Sequence, residues 1–243
     1  MPRFHCPLPL APDRRVVLPD AVARHAARVL RLRDGQGVTL FNGDGHEYPG
    51  ILSLAGRASV HLLARLSPQR ESPLRIRLAQ GISSGERMDL TVQKAVELGV
   101  VDIQPLMMRR TIVRLAGDKP ERRRAHWQAV VISACEQCGR NLVPEVAGIR
   151  DFDAWGRAWA DARDGNLGLM LDPAAARGLA DLPRPRGTVT LLAGPEGGFE
   201  DTERALAAEA GFLAVRLGPR ILRTETAALA ALAALQALWG DYT

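Results

Sequence analysis

The chain predicts an α/β fold, a parallel sheet with helices on both faces, preceded by a small β-rich unit. Three observations predict it. From Leu74 onward, short apolar runs alternate with longer amphipathic segments, the pattern of successive strand–helix–strand units. Before Leu74, short strand patterns dominate and a single helix is expected. Between the two, Ser67-Pro68-Gln69-Arg70-Glu71-Ser72-Pro73 has the composition of a linker. The expected units are therefore residues 1–70 and 74–243.

In the first unit, Pro19–Val29 predicts a short helix, with Asp20 placed to favour its N-terminus. Val38–Asn42 alternates and runs into Gly43-Asp44-Gly45, a hairpin turn; Tyr48–Leu54 and Ala58–Leu66 are the next strands. Arg24, Arg28, Arg31 and Arg33 crowd together around His25. The first three are spaced i, i+4, i+7 and share one face if the helix runs that far. Such a row is either a solvated helix face or a set of phosphate contacts, which supply affinity and register with little sequence readout.

In the second unit, Leu74–Gln80 alternates as a strand and Gly81–Gly85 turns. Glu86–Leu98 predicts a helix with Met88, Val92, Ala95 and Val96 on one face and Gly99 just past its end. Val101–Leu106 is a strand, Pro120–Cys138 a helix entered through proline, Asp151–Arg163 an amphipathic helix and Leu167–Leu171 a strand. Thr188–Ala193 and Leu213–Leu217 are short apolar strands, stopped by Gly194-Pro195 and Gly218-Pro219. Helical patterns follow both, over Glu200–Ala210 and Thr224–Trp239. The last has leucines at 229, 232, 235 and 238 among alanines, a face suited to close packing on its own sheet.

The two glycine-and-proline loops, AGPEGGF and LGPRILRTETA, are the centre of the functional reading. Loops at the carboxyl ends of neighbouring strands form the ligand crevice of an open α/β sheet. Glycine lets main-chain groups approach a ligand closely, since no Cβ intervenes. A single glycine-rich turn is weak support; two, separated by one helix and one strand, are stronger. The spacing excludes a dinucleotide G-x-G-x-x-G and a Walker G-x-x-x-x-G-K-[ST]. Glu196 and Glu200 disfavour an anion at the helix after Gly198.

Composition narrows the class. The 243 residues are 47% hydrophobic and 24% charged, an ordinary globular balance. Three cysteines are too few for a disulfide framework and favour a reducing compartment. The N-terminal residues lack the apolar stretch of a secretory signal, and Ala227–Leu235 is too short to span a bilayer. A soluble cytoplasmic protein is expected. The formal charge of +5 fits a polyanionic partner. Lys94 and Lys119 are the only lysines; a GC-rich coding sequence explains most of that arginine bias. Cys135-Glu136-Gln137-Cys138 lacks the further ligands that zinc requires and is expected to pack; no metal site is expected.

Gly194-Pro195-Glu196-Gly197-Gly198-Phe199 and Leu217-Gly218-Pro219-Arg220-Ile221-Leu222-Arg223-Thr224-Glu225-Thr226-Ala227 resemble the signature of the RsmE-type methyltransferases of the SPOUT superfamily. Arg87-Met88-Asp89 with Gln93–Val100, Glu136–Asn141 with Val143-Pro144-Glu145, Pro2-Arg3-Phe4 and Val29–Arg33 are similar to further blocks of that family, so the resemblance covers nearly the whole chain. It implies a PUA-like RNA-binding β-barrel followed by a trefoil-knotted methyltransferase domain. It also implies S-adenosylmethionine as methyl donor, N3 of a uridine in 16S ribosomal RNA as acceptor, and a homodimer formed through the C-terminal domain, with the small ribosomal subunit as the setting. The knot enters through the resemblance alone, against the general prior.

Carried onto this chain, the resemblance makes Gly194, Pro195, Glu196 and Gly198 one wall of the donor site. Leu217, Gly218, Ile221, Leu222, Thr224 and Ala227 form another, and Leu171-Asp172-Pro173 a third; Leu192 and Leu217 read as strand core before they read as direct contacts. N3 of uridine holds its proton, so the site must remove it or stabilise the uracil anion. Arg223 and Glu225 in the loop, with Arg140 and Asn141 after Gly139, are the catalytic candidates; Thr224-Glu225-Thr226 is also a helix-start composition. Arg3, Arg24, Arg28, Arg31, Arg33, Arg87 and Lys94 are the RNA-binding candidates. Lys94 with Glu97 also reads as a surface pair, and Ser84 stands where many relatives carry lysine. The rival readings are ribose 2′-O methylation and an RNA-binding assembly protein without catalysis.

Overall fold

A computed structural model of the chain describes residues 1–162 and 164–242. Arg163, the end of one expected helix, lies outside them. The chain forms two compact units. The first comprises Met1–Glu71 and Ile132–Val143; the second comprises Ser72–Val131 and the residues from Pro144 on. Among the described residues no helix is long and apolar enough to cross a membrane.

The first unit contains β1 (Arg3–His5), β2 (Arg15–Val17), α1 (Asp20–Arg24) continued by one wide π turn over His25–Val29, β3 (Gly37–Phe41), β4 (Tyr48–Ser53) and β5 (Ser59–Leu62). They make a five-stranded sheet in the order β1-β3-β4-β5-β2. Only β1 and β3 run parallel. The β3–β4 turn forms where expected: Gly43 and Gly45 have φ of +93° and +87°, which a Cβ disfavours. The Tyr48 hydroxyl donates to Asp44 Oδ2 across it at 2.8 Å. Phe4, Val16, Val38, Leu40, Tyr48, Leu52, Val60 and Leu62 form the core, and Ala26 packs into it from the helix.

The helix ends earlier than the arginine row requires. The Leu30 N–H donates to the His25 carbonyl and the Leu32 N–H to the Ala26 carbonyl. This closing turn puts Arg31 at φ +51°, the left-handed place usually given to glycine. Arg31 therefore lies beyond the helix and does not share a face with Arg24 and Arg28.

The second unit contains β6 (Ile76–Gly81), α2 (Gly85–Glu97), β7 (Val100–Met107), α3 (Lys119–Cys138), β8 (Glu145–Val146), β9 (Arg150–Asp151), α4 (Phe152–Ala162), β10 (Leu167–Leu171), a 3-10 turn (Leu179–Asp181), β11 (Val189–Ala193), α5 (Asp201–Glu209), β12 (Leu213–Val215) and α6 (Thr224–Trp239). The last residues of α3, from Ile132, group with the first unit. The sheet order is β12-β10-β11-β6-β7-β8, with β9 also on β7, and every pairing is parallel. One face, with Ala79, Leu106, Met170 and Leu192, packs against Phe152, Trp155 and Trp159 of α4 and Ala207 of α5. Trp159 lies 4.1 Å from Phe212, ring centroid to centroid. Alternate residues such as Leu78 and Leu191 point the other way, where α2 and α6 pack on β6, β7 and β11. Gly99 closes α2 at φ +85°, as its place predicts.

Candidate active site

The parallel register sets the site. Ala193 of β11 stands opposite Gln80 of β6, so the first glycine loop starts beside Gly81. The approach is closer than any side chain allows: a Cβ on Gly81 would lie 2.5 Å from the Pro195 nitrogen. Gly198 N–H donates to the Pro195 carbonyl at 2.9 Å, and Gly198 takes φ +68°. The two loops are expected on neighbouring strands, but the topology separates them. β10 lies between β11 and β12, and its end, Leu171-Asp172-Pro173, supplies the third wall.

The two loops are nevertheless tied. The Thr224 hydroxyl donates to the Gly194 carbonyl at 2.5 Å. The Gln80 side-chain amide donates to Gly81 O, Thr224 Oγ1 and Gly194 O at 2.9, 3.1 and 3.3 Å. Gln80 is fully buried, and sequence reasoning missed it. Its only signal was a polar residue ending an apolar strand.

Between the loops lies a cavity of about 480 Å³, within the range of small-molecule sites. Gly194, Pro195, Glu196 and Gly198 line one side; Leu217, Gly218, Ile221, Leu222, Thr224 and Ala227 line another; Leu171 completes it. Leu192 does not line it. Its side chain is fully buried in the α4–α5 core, because it falls on the opposite phase of the strand alternation. Ile221 stands at the rim, 86% exposed.

The charged lining is largely paired off. Glu196 Oε1 accepts from the Ser84 N–H (2.8 Å), the Ser84 hydroxyl (2.7 Å) and Arg87 (3.2 Å). Burial, the largest influence, pushes its pKa up, but these donors together hold it below the ordinary carboxylate value. Asp172 is bound by Arg204 at 2.9 Å. Two oxygens are left over: Glu196 Oε2 and Glu225 Oε2 are buried with no hydrogen-bond partner among the described residues. Both belong to cavity-lining residues, and buried carboxylate oxygens call for a donor or a cation. Arg223 and Glu225 line the cavity too, Arg223 just before α6 and Glu225 in its first turn. Thr224 spends its hydroxyl on Gly194 rather than on capping its helix.

Several expected residues lie elsewhere. Arg140 is 5% exposed and grips Glu71 through Nη2 at 2.6 Å. Asn141 Oδ1 accepts from Arg3 at 2.6 Å, and Arg3 also pairs with Glu47 at 2.5 Å. All five belong to the first unit; Arg3, Arg140 and Asn141 are held there by internal bonds and do not line the cavity. Lys94 pairs with Glu97 at 2.8 Å on α2, away from the cavity lining. Of the RNA-binding candidates only Arg87 lines it. Arg24, Arg28, Arg31 and Arg33 are exposed on the first unit. Cys135 is buried and its thiol is pushed up to about 12, mainly by burial, so it is an inert packing residue.

Comparison with known proteins places the chain among the RNA methyltransferases. The profile of the RNA methyltransferase domain matches residues 70–236, more than half of the chain, and that of the RNA methyltransferase PUA domain matches residues 18–63. The chain belongs to the ribosomal RNA small subunit methyltransferase E family. It is 33% identical to the Buchnera aphidicola member, over 99% of this chain and 98% of the relative. The structure of the Neisseria gonorrhoeae member bound to S-adenosyl methionine superimposes with a TM-score of 0.92 at 46% identity, covering 100% of both chains. A Legionella pneumophila methyltransferase in complex with the same cofactor gives 0.92 at 40% identity, covering 98% of each.

Proposed function

We propose that this protein transfers the methyl group of S-adenosylmethionine to N3 of a uridine in the 16S ribosomal RNA of the small ribosomal subunit. The observation that carries the reading is the convergence of two glycine loops on one cavity of about 480 Å³. The cavity suits this donor: main chain and apolar side chains dominate its lining, and two of its carboxylate oxygens lack partners among the described residues.

The donor supplies a methyl group on a positively charged sulfur with a good leaving group. The protein's share is positioning and preparation of the acceptor. Gly194, Gly198 and Gly218 bring main-chain groups close to the donor. Glu225 is the carboxylate available to take the N3 proton, and Arg223 the cation available to stabilise charge on a uracil oxygen. The same reading takes the second unit as trefoil-knotted and the protein as a cytoplasmic homodimer; equilibrium sedimentation tests the dimer.

Mass spectrometry of ribosomal RNA nucleosides from a strain lacking the protein tests the function. N3-methyluridine is expected to be lost from the small-subunit RNA, and its persistence at full level would refute the reading. Arg223→Ala is expected to lower the methylation rate much more than donor affinity; equal loss of both in parallel kinetic and calorimetric measurements would make Arg223 a donor-binding residue instead.

A further inference from the structure

Two stretches carry a net +5 each, Arg14–Arg33 in the first unit and Arg109–Arg124 in the second, and the root of the second adjoins the cavity. Arg109–Arg124, RRTIVRLAGDKPERRR, carries seven Arg or Lys against two Asp or Glu, a net +5, and the whole chain is also +5. The residues outside these two stretches carry a net −5, so positive charge is segregated into them. A coding bias toward arginine would raise the count throughout without segregating unbalanced charge.

The second stretch starts as β7 ends, and its root is fixed to the first glycine loop. Met108 N–H donates to Thr111 Oγ1 at 3.1 Å. Arg109 N–H donates to Oε1 of the buried Glu203 at 2.9 Å. Arg110 donates to the Gly197 carbonyl at 3.2 Å, and a Cβ on Gly197 would stand 2.7 Å from Arg110 Cβ. Gly197 lines the cavity, so the root of the stretch abuts the cavity wall.

Beyond its root the stretch faces solvent. Ile112 is 71% exposed. Arg122 and Arg124 pair with their neighbours Asp118 and Glu121, exposed pairs worth little. Arg114, Lys119 and Arg123 are exposed and form no ion pair among the described residues. Unbalanced cations rooted at the wall of a catalytic cavity suit a polyanion that must be held in register there.

We propose that Arg114, Lys119 and Arg123 are phosphate contacts by which the methyltransferase unit holds the RNA strand beside the target nucleotide. This rests on the RNA-methylation reading above. Phosphate neutralisation at this place supplies affinity and register, while base selection falls to the cavity.

The test is steady-state methylation by the full chain carrying Arg114→Ala, Lys119→Ala and Arg123→Ala together. The substrate is small ribosomal subunits from a strain lacking the protein. The triple variant is expected to keep its melting temperature and its Kd for S-adenosylmethionine. Its KM for subunits should rise roughly tenfold, and the slope of log kcat/KM against log salt should become shallower by about 2 to 3. Arg114→Lys with Arg123→Lys should retain the parent slope. A triple variant that binds the donor but keeps the parent KM and slope overturns the proposal, and so does a fall in kcat alone. If the unaltered protein binds the donor yet methylates no RNA, the functional reading fails, and the proposal with it.

Discussion

Gln80 shows how much one side chain does in this site. Its amide reaches the carbonyls of Gly81 and Gly194 and the hydroxyl of Thr224, so it joins the end of β6, the first loop and the start of α6. Gln80→Leu keeps the bulk and strips the donor from buried acceptors, a cost of about 1–3 kcal/mol. Calorimetry with S-adenosylmethionine should show roughly tenfold weaker binding, the equivalent of about 1.4 kcal/mol. An unchanged Kd alongside a lowered melting temperature would make Gln80 a purely structural residue. Glu196 gives a pH dependence. Its folded pKa is depressed, so the stability it supplies is complete above its ordinary value of 4.5 and is lost as the pH falls through the folded value. The gap in unfolding free energy between the parent and Glu196→Gln should be constant above that value and narrow on acidification; a gap unchanged down to about pH 3 would contradict the assignment. Gly194, Gly198 and Gly218 were legible because glycine beside proline after an apolar run has few meanings. Gln80 was not, because a polar residue at a strand end fits ordinary alternation. Arg140 and Asn141 stood out as a polar pair after a helix, but their partners Glu71 and Arg3 are 69 and 138 positions away, beyond any spacing rule.

Among the elements, those long enough to show a period were legible. The helix α2 with its Gly99 stop, and the strands β6, β7, β10 and β11, fall where apolar spacing puts them to within a few residues. The strands β1, β2, β8 and β9 have two or three residues each, too short for alternation to register. The place of β12 was illegible for another reason: sequence order does not reveal that β10 separates it from β11. The close approach of β6 to the first loop yields a test of this geometry. A Cβ on Gly81 meets main chain at 2.5 Å and cannot be absorbed by a side-chain rotation, so the loop must shift. Gly81→Ala should weaken donor binding at least tenfold and lower the melting temperature by about 2–4 °C or more. Gly148→Ala, with nothing within 4 Å of the added atom, is the matched control and should change neither. Donor binding unaltered in Gly81→Ala would show that the loop position does not set affinity.

At the scale of the molecule, the chain forms two compact units of different make-up. The first carries exposed arginines over a small β core, and the second carries the cavity in a fully parallel sheet. The full-length match to relatives shows that the pairing of these units belongs to the family. Net charge fits a polyanionic partner, while the bond that ties Arg110 to the glycine loop is visible only in the folded chain. Methyl transfer from a labelled donor tests the chemistry directly. Small ribosomal subunits from a strain lacking the protein are incubated with the purified protein and methyl-labelled S-adenosylmethionine, and the labelled nucleoside is identified by mass spectrometry. The account predicts label in N3-methyluridine of 16S ribosomal RNA; label in a 2′-O-methylated nucleoside, or none in RNA, would contradict it.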